Sequence, residues 1–347
     1  MVGEPTRRRL VEAATARLGP GLEGRWIVEH ALDLDGPSPD RSPPARGLDE
    51  PVAPGVSSRV ESMVSRRQAG EPLQYILGRW PFRTIELAVD RRVLIPRPET
   101  EVVVDVALAE LRRATSEWSG APSSGRSPVA VDLGTGSGAI ALSLAVEGGS
   151  GDAGPDVWAT DSSVEALEVA RANLRALQAL QALPTPTAAR ARQAPTAARA
   201  ARAEGEPIPP DRAPLDRAPL DRVRLVHGDW FAALPKGLMG VLDLIVSNPP
   251  YVSAEEYPEL DPVVRHWEPE GALVAGAATD GSSGLAEVEA IIAGAPRWLR
   301  SGGALVIEMA PHQADVASSM ARRAGLAHVR VEPDLAGRPR ALVATGQ

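Results

Sequence analysis

The chain has 347 residues, 44% of them hydrophobic, which is enough for a large core and for more than one domain. Its formal net charge of -8 argues against a surface built mainly to follow a phosphate backbone, and the absence of cysteine excludes disulfides, thiolate metal sites and cysteine nucleophiles. No run approaches the roughly 18 apolar residues of a membrane helix, and the start, Met1 to Leu10, lacks the apolar stretch of a secretory signal, so a cytoplasmic protein with no membrane association is expected.

Apolar positions recur at helical spacing over 5–18 and 22–34, a Pro/Gly/Asp-rich loop fills 35–55, and 56–69 resumes the helical pattern. Residues 1–72 therefore read as a small helical domain, and 73–95 as a linker containing a hairpin, with strands at Tyr75–Phe82 and Ile85–Val89. From 96 to 347 strands and helices alternate. Strands are expected at Val129–Leu133, Val157–Thr160, Val223–Val226, Leu242–Val246 and 304–308, and helices at Ala139–Val146, Val164–Leu177, 285–300 and 313–324. Such alternation predicts an α/β domain with a parallel sheet covered on both faces. Two closing strands, 327–331 and 340–344, follow one another with no helix between them, so one should run antiparallel. Residues 179–222 interrupt the order with Ala/Pro/Arg-biased repeats, Pro-Thr-Ala-Ala-Arg-Ala at 186–191 and 195–200 among them. Sequence of that kind carries too little large apolar surface to offset ordering entropy, and a disordered insertion is expected.

The first chemical signal is the turn Val131-Asp132-Leu133-Gly134-Thr135-Gly136-Ser137-Gly138, where the first strand of the sheet meets its helix. Glycines there let backbone amides approach a ligand closely. The pattern alone also satisfies a dinucleotide fingerprint. Asp132 favours a cofactor carrying an ammonium and a sulfonium, because a carboxylate would repel a pyrophosphate. Asp161, ending the second strand, is placed to hydrogen-bond both ribose hydroxyls; Asp229 suits an adenine amino group and Trp230 its ring. The five histidines, His30, His227, His266, His312 and His328, are scattered without ligand spacing, so no metal is expected.

The second signal is Asn248-Pro249-Pro250-Tyr251, after a buried strand. The prolines fix φ and stiffen the backbone, so that the Pro249 carbonyl and the Asn248 side-chain oxygen can point into one pocket. Two adjacent acceptors suit an NH2 group, and Tyr251 can stack on a flat substrate. An amide or aromatic amino nitrogen shares its lone pair with a π system. Holding both of its protons favours the pyramidal form and frees that lone pair, so catalysis rests on positioning and electrostatics.

Beyond these turns, the chain resembles the HemK/PrmC family, the release factor glutamine N5-methyltransferases. The resemblance rests on Glu71-Pro-Leu-Gln-Tyr-Ile-Leu-Gly78, Leu94-Ile-Pro-Arg-Pro-Glu-Thr-Glu101, Val131–Ser143 and His227-Gly-Asp-Trp-Phe231. Val246–Val252, Trp267-Glu-Pro-Glu-Gly-Ala-Leu-Val-Ala-Gly276 and Asp334-Leu-Ala-Gly-Arg338 extend it. Glu308-Met-Ala-Pro and Pro339 depart from the family pattern. The resemblance implies a Rossmann-like, seven-stranded class I methyltransferase sheet with a small N-terminal helical domain, and S-adenosyl-L-methionine as cofactor. By resemblance Gly134–Gly138, Asp161, Trp230 and Asn248 contact the cofactor, and Asn248, Pro249, Pro250 and Tyr251 bind the substrate glutamine. That glutamine belongs to the Gly-Gly-Gln motif of class 1 peptide chain release factors, the helical domain helps to dock this protein partner, and no direct nucleic-acid contact is expected. Adenine-N6 methylation of RNA or DNA, which uses the same amino-group logic, is the alternative. A nicotinamide dehydrogenase is opposed by Asp132 and by the lack of a catalytic His or Tyr-Lys pair.

Overall fold

A computed structural model of the chain describes residues 5–33, 49–116, 127–149, 154–182 and 220–347. They fall into two compact units, one up to Arg79 and one from Trp80 onward.

The first unit holds α1 (Arg7–Leu18), α2 (Glu23–Asp33), α3 (Val56–Gln68) and α4 (Leu73–Leu77). Thr6 caps α1 by accepting from Arg9 N, satisfying one of its orphan donors. Ala14, Ile27, Val28, Ala31, Val56, Val60 and Val64 form its buried core. The expected strand at Tyr75–Phe82 is corrected. Leu73, Tyr75 and Ile76 are buried on the short helix α4, which Gly78 ends at φ 68°, and strand structure begins only at Arg79.

The second unit opens on a hairpin, β1 (Arg79–Phe82) and β2 (Ile85–Ala88), followed by α5 (Pro98–Ser116), a helix the sequence reading does not assign. Then come β3 (Val129–Leu133), α6 (Ala139–Glu147), β4 (Asp156–Asp161), α7 (Val164–Gln181), β5 (Val223–His227), β6 (Leu242–Ser247), α8 (Pro262–Trp267), α9 (Ala286–Trp298), β7 (Leu299–Glu308), α10 (Ala314–Arg323), β8 (Ala327–Pro333) and β9 (Pro339–Thr345). The seven-stranded sheet has the order β5-β4-β3-β6-β7-β9-β8. Strands β3 to β7 pair in parallel, whereas β9 runs antiparallel to both neighbours, as the missing final helix requires.

All six residues of β6 are buried. Ile245 joins Val131, Leu133, Leu305 and Ile307 in the cluster with α9 and α10, while the alternate residues Leu244, Val246, Ala304 and Val306 are equally buried on the opposite face. The sheet is therefore covered on both sides, which explains strands that read as unbroken apolar runs.

The boundaries expected for the insertion, 179–222, are also corrected. Residues up to Gln181 belong to α7, and Leu220–Arg222 forms a 3-10 turn. Leu220 is fully buried and its carbonyl accepts from Gln178 Nε2 at 3.2 Å. Residues 183–219, which hold nearly all of the repeats, lie outside the described residues. Among the described residues no helix is long and apolar enough to cross a membrane.

Candidate active site

The C-terminal ends of the parallel strands carry a cleft of about 500 Å3. Gly134, Thr135, Gly136 and Ser137 line it, with Asp161, Asp229, Trp230, Asn248 and Pro250. This is where open α/β sheets bind ligands, beyond the strand ends where the strand order reverses.

The glycine turn is held by its own backbone. The amides of Gly134 and Thr135 donate to Thr160 O at 2.9 Å, and Gly138 N donates to Thr135 O at 2.8 Å. Gly134 needs its glycine twice over. Its φ is 73°, and a Cβ would sit 3.1 Å from Trp230 Cζ3. Trp230, itself at φ 38°, therefore lies against the bare backbone of the turn. At Gly136, φ 56°, a Cβ would meet nothing within 4 Å. A small ligand moiety can occupy that open space, so the turn fits a nucleoside-bearing cofactor.

Asp161 closes one side. Its Oδ2 accepts from Gly136 N at 2.8 Å and its Oδ1 from Ser163 N at 2.9 Å, which fixes the carboxylate plane and leaves one lone pair on each oxygen. Burial pushes its pKa up against those two hydrogen bonds. Asp229 lines the cleft and precedes the 3-10 turn that carries Trp230.

Asp132 does not do what its sequence position suggests. It is fully buried, is not among the residues lining the cleft, and accepts through Oδ2 from Thr135 Oγ1 at 2.6 Å and Ala141 N at 3.1 Å. It braces the turn from behind. Burial pushes its pKa up to about 7, against the pull of the Thr135 and Ala141 hydrogen bonds.

Asn248 stands at the cleft wall, where its Nδ2 donates to Thr100 Oγ1 at 3.2 Å. Pro250 lines the same wall; Pro249 is buried behind it, and Tyr251 is half-buried outside the lining. The Tyr251 hydroxyl turns to Glu308 Oε1 at 3.4 Å, and Gln313 Nε2 holds its carbonyl at 3.0 Å. Burial, followed by the Glu308 charge, pushes the Tyr251 hydroxyl well above its usual range.

The remaining wall comes mostly from segments that sequence reasoning flagged only by resemblance, Leu94, Pro96, Arg97 and Thr100 on one side and Pro269, Gly271 and Ala272 on the other, with Arg92 and Val93, which it did not flag, just ahead of the first. Their juncture is a buried carboxylate. Glu268 accepts from Ile95 N at 3.0 Å and pairs with Arg97. Glu287, at the start of α9, also lines the cleft and was not foreseen. On the opposite side Asn173 binds Ala88 O and Ser137 O through Nδ2, at 3.1 and 2.9 Å, and accepts from Ala88 N at 2.7 Å. Among the described residues no group of three or more His, Asp or Glu is gathered to hold a metal.

A seven-stranded sheet with its last strand reversed, a glycine turn after the central strand and an acid ending the next define a class I, S-adenosylmethionine-dependent methyltransferase. Residues 6–78 match the PrmC N-terminal domain family. The chain is 34% identical over 340 residues to the release factor glutamine methyltransferase of Burkholderia pseudomallei, an overlap of 97% of this chain and 96% of that one. It is 35% identical over 318 residues to the enzyme of the same name from Bordetella pertussis, covering 92% of each. With that of Gloeobacter violaceus it shares 36% over 279 residues, 80% of this chain and 76% of the other. The chain belongs to the release factor glutamine methyltransferases.

Proposed function

We propose that the chain transfers a methyl group from S-adenosyl-L-methionine to the side-chain amide nitrogen of the glutamine in the Gly-Gly-Gln motif of class 1 peptide chain release factors. The observation that carries this reading is Asn248 at the cleft wall, its NH2 engaged by Thr100 so that its oxygen is the group left to meet a substrate. When bound, the cofactor would supply an electrophilic methyl on a sulfonium, and the substrate nitrogen would give up one proton to water on taking it.

The chain's own residues prepare the nucleophile. Asn248 Oδ1 and the Pro249 carbonyl accept the two amide protons, which favours the pyramidal nitrogen and directs its lone pair at the methyl. Pro250 shapes the wall, and Tyr251 holds the far end of the tetrapeptide through its hydroxyl. Gly134, Thr135, Gly136 and Ser137 cradle the cofactor, while Gly138, outside the lining and turned toward Leu142 and Ala170, closes the turn; Asp161 takes its ribose hydroxyls, Asp229 its adenine amino group, and Trp230 packs on the ring. The N-terminal helical unit docks the protein substrate, and the reaction is cytoplasmic.

The test is incubation with labelled cofactor, a class 1 release factor and total RNA in one vessel. Label in the release factor, lost when its motif glutamine is replaced, supports the reading. Label in RNA adenine alone would move the substrate to a nucleobase and leave the amino-group chemistry standing.

A further inference from the structure

Two buried residues outside the Asn-Pro-Pro-Tyr segment join its two ends. Thr100 Oγ1 donates to Glu308 Oε2 at 2.7 Å while accepting from Asn248 Nδ2 at 3.2 Å, and Glu308 Oε1 accepts from the Tyr251 hydroxyl at 3.4 Å. Thr100 is 4% exposed and Glu308 1%, so water does not compete for these bonds. Thr100 sits in the first turn of α5 and Glu308 at the end of β7, so two separate elements meet to span the segment from Asn248 to Tyr251.

A threonine hydroxyl has one proton, and this sets the direction of the chain of bonds. With Glu308 ionised, Thr100 must donate to it, and can then only accept from Asn248. The Asn248 NH2 is drawn to Thr100, and its oxygen faces the cleft. With a proton on Glu308 Oε2 the order reverses. Glu308 donates to Thr100, Thr100 donates onward, and only a flipped amide can accept, which turns the Asn248 NH2 toward the substrate. Two NH2 groups then oppose one another across the site.

We propose that Thr100 and Glu308 are positioning residues whose hydrogen-bond polarity selects which end of the Asn248 amide meets the substrate. The inference rests on the proposed role of Asn248 and deepens it, by making Glu308 ionisation a condition for turnover. Several charged groups face Glu308. Glu99 on α5 disfavours its ionisation, Arg340 on β9 favours it, and Arg340 is itself shared with Asp334. Arg97 acts on the neighbouring Tyr251. Burial outweighs the Thr100, Arg340 and Tyr251 contributions and pushes Glu308 up to about 7, so the switch falls in the working range of an enzyme.

The experiment uses the full chain with saturating cofactor, so that titration of Asp161 or Asp132 does not limit cofactor occupancy. Single-turnover methylation of a release factor is followed from about pH 5.5 to 8.5 for wild type, Thr100→Val, Thr100→Ser and Glu308→Gln. Wild type loses rate on the acid side with a midpoint near 7. Thr100→Val turns over about ten- to a hundred-fold more slowly, with unchanged cofactor affinity, a melting temperature lowered by the buried Glu308 oxygen left without its donor, and no acid limb. Thr100→Ser restores rate and limb together, and Glu308→Gln gives a flat profile because nothing in the relay titrates. Wild-type rate and profile in Thr100→Val, or a flat wild-type profile, would overturn the relay. If adenine became labelled in place of glutamine with the same Thr100 dependence, the relay would stand and the substrate assignment would fall.

Discussion

Arg97 and Glu268 are 171 positions apart and form an ion pair at the wall of the cleft, with Glu268 also accepting from Ile95 N at 3.0 Å. The Glu268 side chain is 1% exposed and that of Arg97 31%, so the acid depends on the pair while the guanidinium also reaches solvent. This one carboxylate fastens the segment leading into α5 to the residues that end α8.

Glu268→Ala should leave the Ile95 amide buried without an acceptor and Arg97 without its partner. A stability loss of about 2–4 kcal/mol is expected. Urea unfolding of the variant and the wild type measures it, and a change under about 0.5 kcal/mol would mean that the segment holds its place by other contacts.

Asp161→Ala should weaken cofactor binding ten-fold or more. Two charge-assisted hydrogen bonds to the ligand, each worth roughly 1.5–3 kcal/mol, would be lost together with the acceptor of the Gly136 amide. Titration calorimetry reads the affinity, and an unchanged value would remove Asp161 from the ribose position.

Asn248→Ala should slow methyl transfer by about 10² to 10³ with the fold retained. Asn248→Asp keeps the size and an acceptor but adds a charge that attracts the sulfonium. Lower turnover with equal or tighter cofactor binding is therefore expected. Rapid-quench turnover at the wild-type rate in the alanine variant would contradict the proposed chemistry.

Replacing 183–219 with a short Gly/Ser linker should leave the melting temperature nearly unchanged, since closing a shorter loop alters the entropy by only about 1 kcal/mol. A deletion carried through residue 222 should cost about 2–5 kcal/mol, because it removes the fully buried Leu220. Calorimetric scans of the two deletions should differ; equal melting temperatures would show that Leu220 is dispensable.

Stability should also depend on Asp132 through pH. Burial holds this carboxyl at about 7, whereas in the unfolded chain it titrates near 4. Between those values the folded state binds the extra proton, so this contribution to stability declines as pH rises from about 4 to 7. Asp132→Asn removes it. The advantage of wild type over the variant should shrink across that window in denaturant titrations, and a constant difference would exclude the ionisation.

The sheet was legible because its central strands are buried, as in β6, and its helices carry long apolar faces. Helix α5 was not, since Val102, Val103 and Val104 form a β-branched run whose helical state is decided by packing against β6 and β7. Helix α4 has five residues, too few to display a period. In the site, the turn glycines, Asp161 and Asn248 stood out because each occupies a strand end where chemistry is expected. Asp132 was misjudged because a position beside the turn does not tell which way its side chain points. Thr100 lay in a motif already singled out, and Glu308 in one noted for its departure, yet nothing in the chain order connects residues 208 positions apart.

The three hydrogen bonds of Asn173 tie Ala88 on the hairpin to Ser137 on the glycine turn. Ordering at one end is thereby shared with the other, and linkage makes the sharing reciprocal. A ligand that stills the glycine turn should slow deuterium uptake at the Ala88 amide, which donates directly to Asn173, and a protein gripping the hairpin should tighten the hold on the nucleoside. The hairpin thus serves as a remote gauge of occupancy, readable at a single amide.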